Sequence, residues 1–386
     1  MNSRDRVITA LNHEEPDKVP FDLGGTEITG INHRIYRELR EKLLPVETSK
    51  VKIFDKIQQL AEVEEEMKKA LVVDIDGVFP QTQLVNKEVE EGNYYTFYDS
   101  YGIKWSMPKN EGFYYDMTEH PLADAKGPKD IENFDWPDPR DPALLEGLQS
   151  KVESLAESGR AVAMSVSIGG IGAGIFEMGF WLRGYKNFYL DIGRQGAMLE
   201  ALLDKLVELR LEYWDAVLDE VGDLIDVAVQ ADDLGTQEDT MISPKMYREI
   251  VKPRHKKVFN FVKDKASDPI YNFLHSDGAI YDLIPDLIEA GVDILNPVQV
   301  NAKGMDPQKL KKEFGDALTF WGAGVDSQTT LPNGSPDQVR EEVRKRMDQF
   351  ARDGGYIFAP IHNIQADVPL ENVVAMIDEF QKVRSY

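Results

Sequence analysis

Apolar runs of five to eight residues recur along this 386-residue chain, and each breaks off at glycine or polar residues. They lie at 19–23, 72–79, 161–167, 225–231, 270–275, 293–298, 318–322 and 356–360. Their length and turn-rich flanks predict strands. Between them, apolar positions recur three and four apart, the period of an amphipathic helix. Helices are predicted over 3–13 with Ser3 as cap, 33–44, 57–71, 176–190, 196–221, 279–290 and 369–383. Others start near Asp306 and at Ser335 or Pro336, and Ser243-Pro244 caps one more.

Eight strand-like runs separated by helices predict a closed (β/α)8 TIM barrel, an α/β fold. An open doubly wound sheet would instead place a glycine fingerprint after its first strand. Ligand sites in such barrels lie at the C-terminal ends of the strands. The runs here are apolar within and polar or glycine-rich at that end, so the chemistry is expected there. One region departs from this grammar. Residues 93–98 and 101–106 alternate around Asp99-Ser-Tyr-Gly102, the pattern of an antiparallel hairpin. The expectation is one barrel domain over 1–386 with an insertion at 80–142, read as a lid over one rim.

With 42% hydrophobic and 29% charged residues, the composition is that of a soluble globular protein. No run approaches the roughly 18 apolar residues of a membrane span. The N-terminus leads into an amphipathic helix, so the cytoplasm is the expected location. A net charge of −24 disfavours nucleic acid and anionic membranes as partners, and an acidic surface also serves solubility. The chain has no cysteine. Disulfides, thiolate nucleophiles and Cys-ligated zinc or iron–sulfur sites are thereby excluded, and any metal must use His and carboxylate ligands.

A barrel would bring Asp22, Asp232, Asp233, Gln237, His275 and Asp277 to one rim. Asn296, Gln299, Asp326, Gln328, His362, Asn363 and Gln365 would join them. Two histidines and a carboxylate can hold zinc or another divalent ion, or can act as general acid and base. The spacing leaves both open, beside the plainer reading of a histidine bonded to a nearby carbonyl. The predicted catalytic residues are His275, Asp277, His362 and Asp232, and the predicted metal set is His275, Asp277 and His362. Substrate contacts are assigned to Arg183, Gln237, Asn296, Gln299, Asp326, Asn363 and Gln365. Asp232-Asp233 also reads as a helix-capping pair, and Arg183 as a partner of a rim carboxylate. His13, His33, His120 and His255 read as ordinary surface or helix residues. The glycine cluster Ile168-Gly-Gly-Ile-Gly-Ala-Gly174 lacks the dinucleotide spacing and reads as a close-packed turn leaving room for a ligand.

Several segments resemble the uroporphyrinogen decarboxylase superfamily. They are Arg6-Val-Ile-Thr-Ala-Leu-Asn-His-Glu-Glu-Pro-Asp-Lys-Val-Pro20, Asp232-Asp-Leu-Gly-Thr-Gln237, His275-Ser-Asp-Gly278 and Gly291-Val-Asp-Ile-Leu-Asn-Pro-Val-Gln299. Gly354-Gly-Tyr-Ile-Phe-Ala-Pro-Ile-His-Asn-Ile-Gln-Ala-Asp-Val-Pro369 completes the set. The resemblance implies a (β/α)8 barrel, and the superfamily holds both decarboxylases and corrinoid-linked methyltransferases. The decarboxylases grip substrate carboxylates with an arginine-rich N-terminal segment. The equivalent place here, Phe21-Asp-Leu-Gly-Gly-Thr-Glu-Ile-Thr-Gly30, has no arginine, so porphyrinogen decarboxylation is not expected. The thiol-directed methyltransferases bind zinc through His-x-Cys and a later Cys. His275 matches the histidine, Asp277 stands at the first cysteine, and Val325 lies near the second. The resemblance thus implies methyl transfer between a small methylated compound, such as a methyl ether, or tetrahydrofolate, and a separate corrinoid protein, with zinc as a candidate ion. The alternatives are a decarboxylase or lyase of another acid, and a non-catalytic ligand-binding relative.

Overall fold

The computed structural model of the protein describes residues 1–44, 50–80, 87–110 and 112–386. Seven parallel strands pair in chain order into one sheet: β1 (Ile75–Val78), β2 (Ala161–Ser165), β3 (Val227–Ala231), β4 (Tyr271–His275), β5 (Ile294–Asn296), β6 (Thr319–Trp321) and β7 (Tyr356–Ile357). The sheet curls, and helices cover its outer face. The expected eighth strand at 19–23 does not form. Pro20 has no N–H to give a ladder, and the Phe21 N–H donates to the Asp74 carboxylate at 2.9 Å. Residues 20–22 still touch both sheet edges. Phe21 makes a parallel bridge to Phe358, and the Asp74 N–H donates to the Phe21 carbonyl at 2.8 Å. The architecture is therefore TIM-like, with a seven-stranded curled sheet in place of the eight-stranded barrel read from the sequence.

The two-residue period of each strand sorts its side chains into two cores. Ala161, Ala163, Val227, Val229, Phe273 and Ile294 pack with Trp321 and Ile357 inside the curl, with Val7 and Leu11 of the helix Ser3–Leu11 among them. Val162, Met164, Ala228, Leu274, Leu295 and Phe320 join the larger cluster under the helices. The same parity carries inward to the strand ends. Ser165 follows Ala163, Ala231 follows Val229, His275 follows Phe273, and Asn296 follows Ile294.

The expected hairpin is present within a four-stranded antiparallel sheet, Val89–Glu91, Tyr94–Tyr98, Lys104–Pro108 and Asp116–Glu119. Its tight turn is held by Asp99, whose carboxylate accepts from the Tyr101 and Ile103 N–H groups and from Trp105 Nε1. Three helix readings change. Asn2, not Ser3, caps the first helix. The span 57–71 contains a strand, Leu60–Ala61, before the helix Glu65–Leu71. The span 176–190 breaks at Gly184, whose φ of +72° favours glycine, into Ile175–Arg183 and Tyr185–Arg194. Among the described residues no helix is long and apolar enough to cross a membrane.

Candidate active site

A cavity of about 900 Å³ opens over the C-terminal strand ends. Ser165, Ala231, Asp233, His275 and His362 form its floor. One wall is the antiparallel sheet, through Tyr95, Phe97, Trp105 and Met107, with Tyr115 just before its last strand. Phe54 and Phe79, stacked at 4.2 Å, line another side, and Trp181 packs edge-on against Trp105 at 5.1 Å. Among the described lining residues the one lysine or arginine is Lys56. Its Nζ lies 4.1 Å from the Phe97 ring centre and 3.7 Å from the Glu88 carboxylate.

His275 ends β4 and is buried. Its tautomer follows from the bonds around Asn296. The Trp321 carbonyl can only accept, so Asn296 Nδ2 faces it at 2.8 Å and Asn296 Oδ1 faces His275 Nδ1 at 2.7 Å. The proton then sits on Nδ1, and Nε2 presents a lone pair to the cavity. Nε2 lies 3.8 Å from Asp233 Oδ1, while His362 Nε2 lies 3.9 Å from Asp277 Oδ2. The two imidazoles are 5.7 Å apart between centres. Donor atoms of His275, Asp277 and His362 all fall within 4.8 Å of one another.

These separations are too long for hydrogen bonds and suit donors around an ion. Two ligands about 2.1 Å from a tetrahedral zinc stand about 3.4 Å apart, so small inward rotations complete the set. Burial pushes the His362 imidazole below its usual value, with Asp277 opposing, which favours the neutral ligand form. Two imidazoles and a carboxylate, with the outer nitrogen of His275 held by an amide, fit a borderline or hard divalent ion.

Six of the described carboxyl residues line the cavity; Asp55 is bonded to Gln58, Glu88 to Tyr115 and Lys56, and Asp99 to its own turn, which leaves Asp233, Glu27 and Glu177. Burial, reinforced by Asp277, pushes Asp233 up to about 6. Burial pushes Glu27 up to about 7, against the hydrogen bond from Ser165 Oγ. Glu177 is raised well above its ordinary value by burial, then by Asp233 and Asp232. Sequence reasoning named Asp233 as a rim residue or half of a helix-capping pair, and missed Glu27 and Glu177. No period marks Glu27, which lies in a loop, and Glu177 reads as an ordinary first-turn helix acid.

The other expected residues are placed as follows. Asp232 points away from the cavity. Its carboxylate accepts from the Phe176 and Glu177 N–H groups at 3.0 and 2.7 Å, and from His255 Nε2 at 2.7 Å. It caps the helix Ile175–Arg183, the capping role the sequence left open. His255, read as ordinary, is buried and also bonds Tyr247 at 3.0 Å. Arg183 is enclosed by Asp191 at 2.9 Å and by the Leu122, Ala123 and Ala125 carbonyls, outside the cavity lining. Gln237 is exposed on an outer loop. Gln299 accepts from the Gly278 N–H at 2.7 Å, so it shapes the turn after His275. Asp326 is spent on a local turn with Gln328 and Thr329 and on Asn301. Asn363 accepts from the Gly30 N–H and donates to the Glu27 carbonyl at 2.9 Å and to Gln58 at 2.7 Å, fastening the loop that carries Glu27. Gln365 Oε1 is buried without a partner. The glycine cluster makes room for carboxyl groups. A Cβ on Gly172 would stand 2.6 Å from Glu27 Oε1, and one on Gly174 would stand 2.3 Å from Asp232 Cγ.

Fold and site together define a TIM-like α/β protein whose strand ends carry an acid-rich, aromatic-walled cavity. The family model of uroporphyrinogen decarboxylase matches residues 96–383, and the chain belongs to that family. It is 23% identical over 268 residues to the uroporphyrinogen decarboxylase of Geotalea daltonii, covering 68% of this chain and 71% of that one. With the uroporphyrinogen decarboxylase of Thermus thermophilus it shares 24% over 291 residues, 73% of this chain and 75% of the relative. A methyltransferase from Methanosarcina mazei superposes over 99% of both chains with a TM-score of 0.64 and 20% identity, a likeness of fold.

Proposed function

We propose that the protein is a methyltransferase that moves a methyl group between a small methylated compound and a separate corrinoid protein, with O-demethylation of a methyl ether as the reaction. The convergence of Asp277 with His275 and His362, the two histidines of the cavity floor, carries this reading. A divalent ion held by these three would supply Lewis-acid polarisation of the ether oxygen. Asn296 holds His275 in its ligand tautomer, and Gln299 holds the turn from which Asp277 projects. Asp232 is a positioning residue here, setting the helix that brings Glu177 to the cavity. The aromatic side chains of the antiparallel sheet fit a flat apolar substrate, and the sheet acts as a lid that excludes water. Tetrahydrofolate is a second candidate for the methyl-carrying small molecule. The corrinoid protein docks across the open cavity mouth.

Porphyrinogen decarboxylation fits this cavity poorly. Glu27, Asp55, Glu88, Asp99, Glu177 and Asp233 line it against the single described cation Lys56, so a polycarboxylate would meet repulsion. The test combines metal analysis of the purified protein with cobalt methylation of a reduced corrinoid protein by methyl ethers, followed by absorbance. Bound stoichiometric metal and cobalt methylation are expected. Carbon dioxide release without methylation would point to a decarboxylase, and ligand binding without turnover to a non-catalytic relative.

A further inference from the structure

We infer that Glu27 is the proton donor to the leaving oxygen, an inference that rests on the methyl-transfer reading above. Its placement sets it apart from Asp233 and Glu177, the two other cavity carboxyls not held by a local turn, amide or cation. Asp233 lies 3.8 Å from His275 Nε2 and accepts the Asp277 N–H at 3.0 Å, so it is packed against two of the proposed ion ligands. Glu177 sits beside Asp232 and Asp233 in the first turn of its helix. Glu27 alone of the three is paired with a hydroxyl, Ser165 Oγ. A hydroxyl donates to a carboxylate and accepts from a carboxylic acid, so the pair keeps its geometry before and after the proton leaves.

The partner is itself rigid. Ser165 ends β2, and its carbonyl accepts from Tyr213 OH at 2.7 Å. The Glu27 backbone carbonyl is held by Asn363 Nδ2 at 2.9 Å and by Gln58 Nε2 at 3.3 Å. Gly172 completes the slot, because any larger residue would press its Cβ onto Glu27 Oε1. A loop acid fastened on its main chain, its side chain and its flank is a group whose orientation matters. The charged groups facing it are Asp55, from the segment beside Gln58, and His275, from β4; Asp55 favours the protonated form and His275 opposes it.

In the step, the methyl C–O bond breaks heterolytically. The methyl carbon passes to the incoming two-electron nucleophile, the reduced corrinoid of the partner, which provides the electron pair of the new bond. The oxygen keeps the old C–O pair and takes the Glu27 proton. The resulting carboxylate keeps its Ser165 hydrogen bond and regains a proton from solvent.

The test uses the full-length protein, reduced cobalamin as acceptor, and two probe donors, the methyl ethers of phenol and of 4-nitrophenol. Phenoxide is the poorer leaving group and depends more on protonation. Glu27→Gln should slow transfer from the phenol ether by about 10²–10⁴-fold while slowing the nitrophenol ether by less than about tenfold. Glu27→Asp should restore part of the loss. Wild-type transfer from the phenol ether should fall as pH rises through about 7, and the Gln variant should lose that fall. Metal content should be unchanged in both variants. Equal slowing of both ethers, or none, overturns the role of Glu27 and leaves the methyl-transfer reading standing. Absence of cobalt methylation by the wild type from either ether sinks that reading, and this inference with it.

Discussion

The two ends of the curled sheet treat buried acid in opposite ways. At the N-terminal strand ends the buried carboxylates of Asp74, Asp76 and Asp226 each meet a cation. Asp74 pairs with Arg6 at 2.7 Å and with Arg384, and Asp76 pairs with Lys68 at 2.6 Å and Arg160 at 2.8 Å. Asp226 pairs with Arg4 at 2.9 Å, and Asp293 with Lys263 at 2.7 Å. At the C-terminal ends Glu27, Glu177 and Asp233 face a cavity whose one described cation is turned toward Glu88. Burial raises all three. The first end uses charge to lock the termini to the sheet. The second leaves its carboxyls without a cation, so that burial favours their protonated form.

The sharpest way to break this comparison is to strip the C-terminal end of its histidine. His275→Ala should abolish methyl transfer by about 10²–10⁴-fold and lower metal content, with the far-ultraviolet circular dichroism unchanged. A fully active variant would place the site elsewhere. The opposite end should answer the opposite way. Asp74→Asn leaves the buried Arg6 and Arg384 guanidinium groups short of their counter-charge, which should cost about 3–5 kcal/mol in urea unfolding with kcat unchanged in the folded fraction. A stability change below about 1 kcal/mol would show that the lock is incidental.

A pH comparison tests this protonation directly. The unfolded Glu27 releases its proton near 4.5 and the folded one near 7. Its contribution to stability is therefore complete below the lower value and is lost as pH rises through the upper one. Glu27→Gln removes that fall, so its stability relative to wild type should improve by about 3 kcal/mol between about pH 4 and about pH 8. A gap that does not change with pH would mean Glu27 titrates normally. The smallest effect belongs to Asp232. Asp232→Asn loses one acceptor among its helix-cap and His255 bonds and should cost about 1–2 kcal/mol in stability. Its metal content should match wild type, and a large loss of metal would put Asp232 in the ion site.

Much of this was open to the sequence. Seven of the eight apolar runs became strands because an interior strand buried on both faces needs an unbroken apolar run. His275, Asp277 and His362 were visible because strand ends deliver side chains to one rim, and a histidine there is rare enough to notice. The failures are local. Pro20 spoiled the eighth strand by withholding an N–H. Asp232 and Asp233 are adjacent and identical in type, so only the direction of the chain at the end of β3 separates the one that caps a helix from the one that lines the cavity. Arg183 and Asp326 looked like ligand contacts, and the fold consumed both in local bonds.

The sequence by itself determined the periods, and with them the parallel strands, the inward parity of His275 and the absence of any thiolate ligand. Tertiary structure decided which carboxyls are left without a cation. That choice depends on distances between residues far apart in the chain, such as Glu27 with Ser165 and Asp233 with His275. A linear pattern carries the face on which a side chain lies, but the partner across the cavity is set only when the sheet curls.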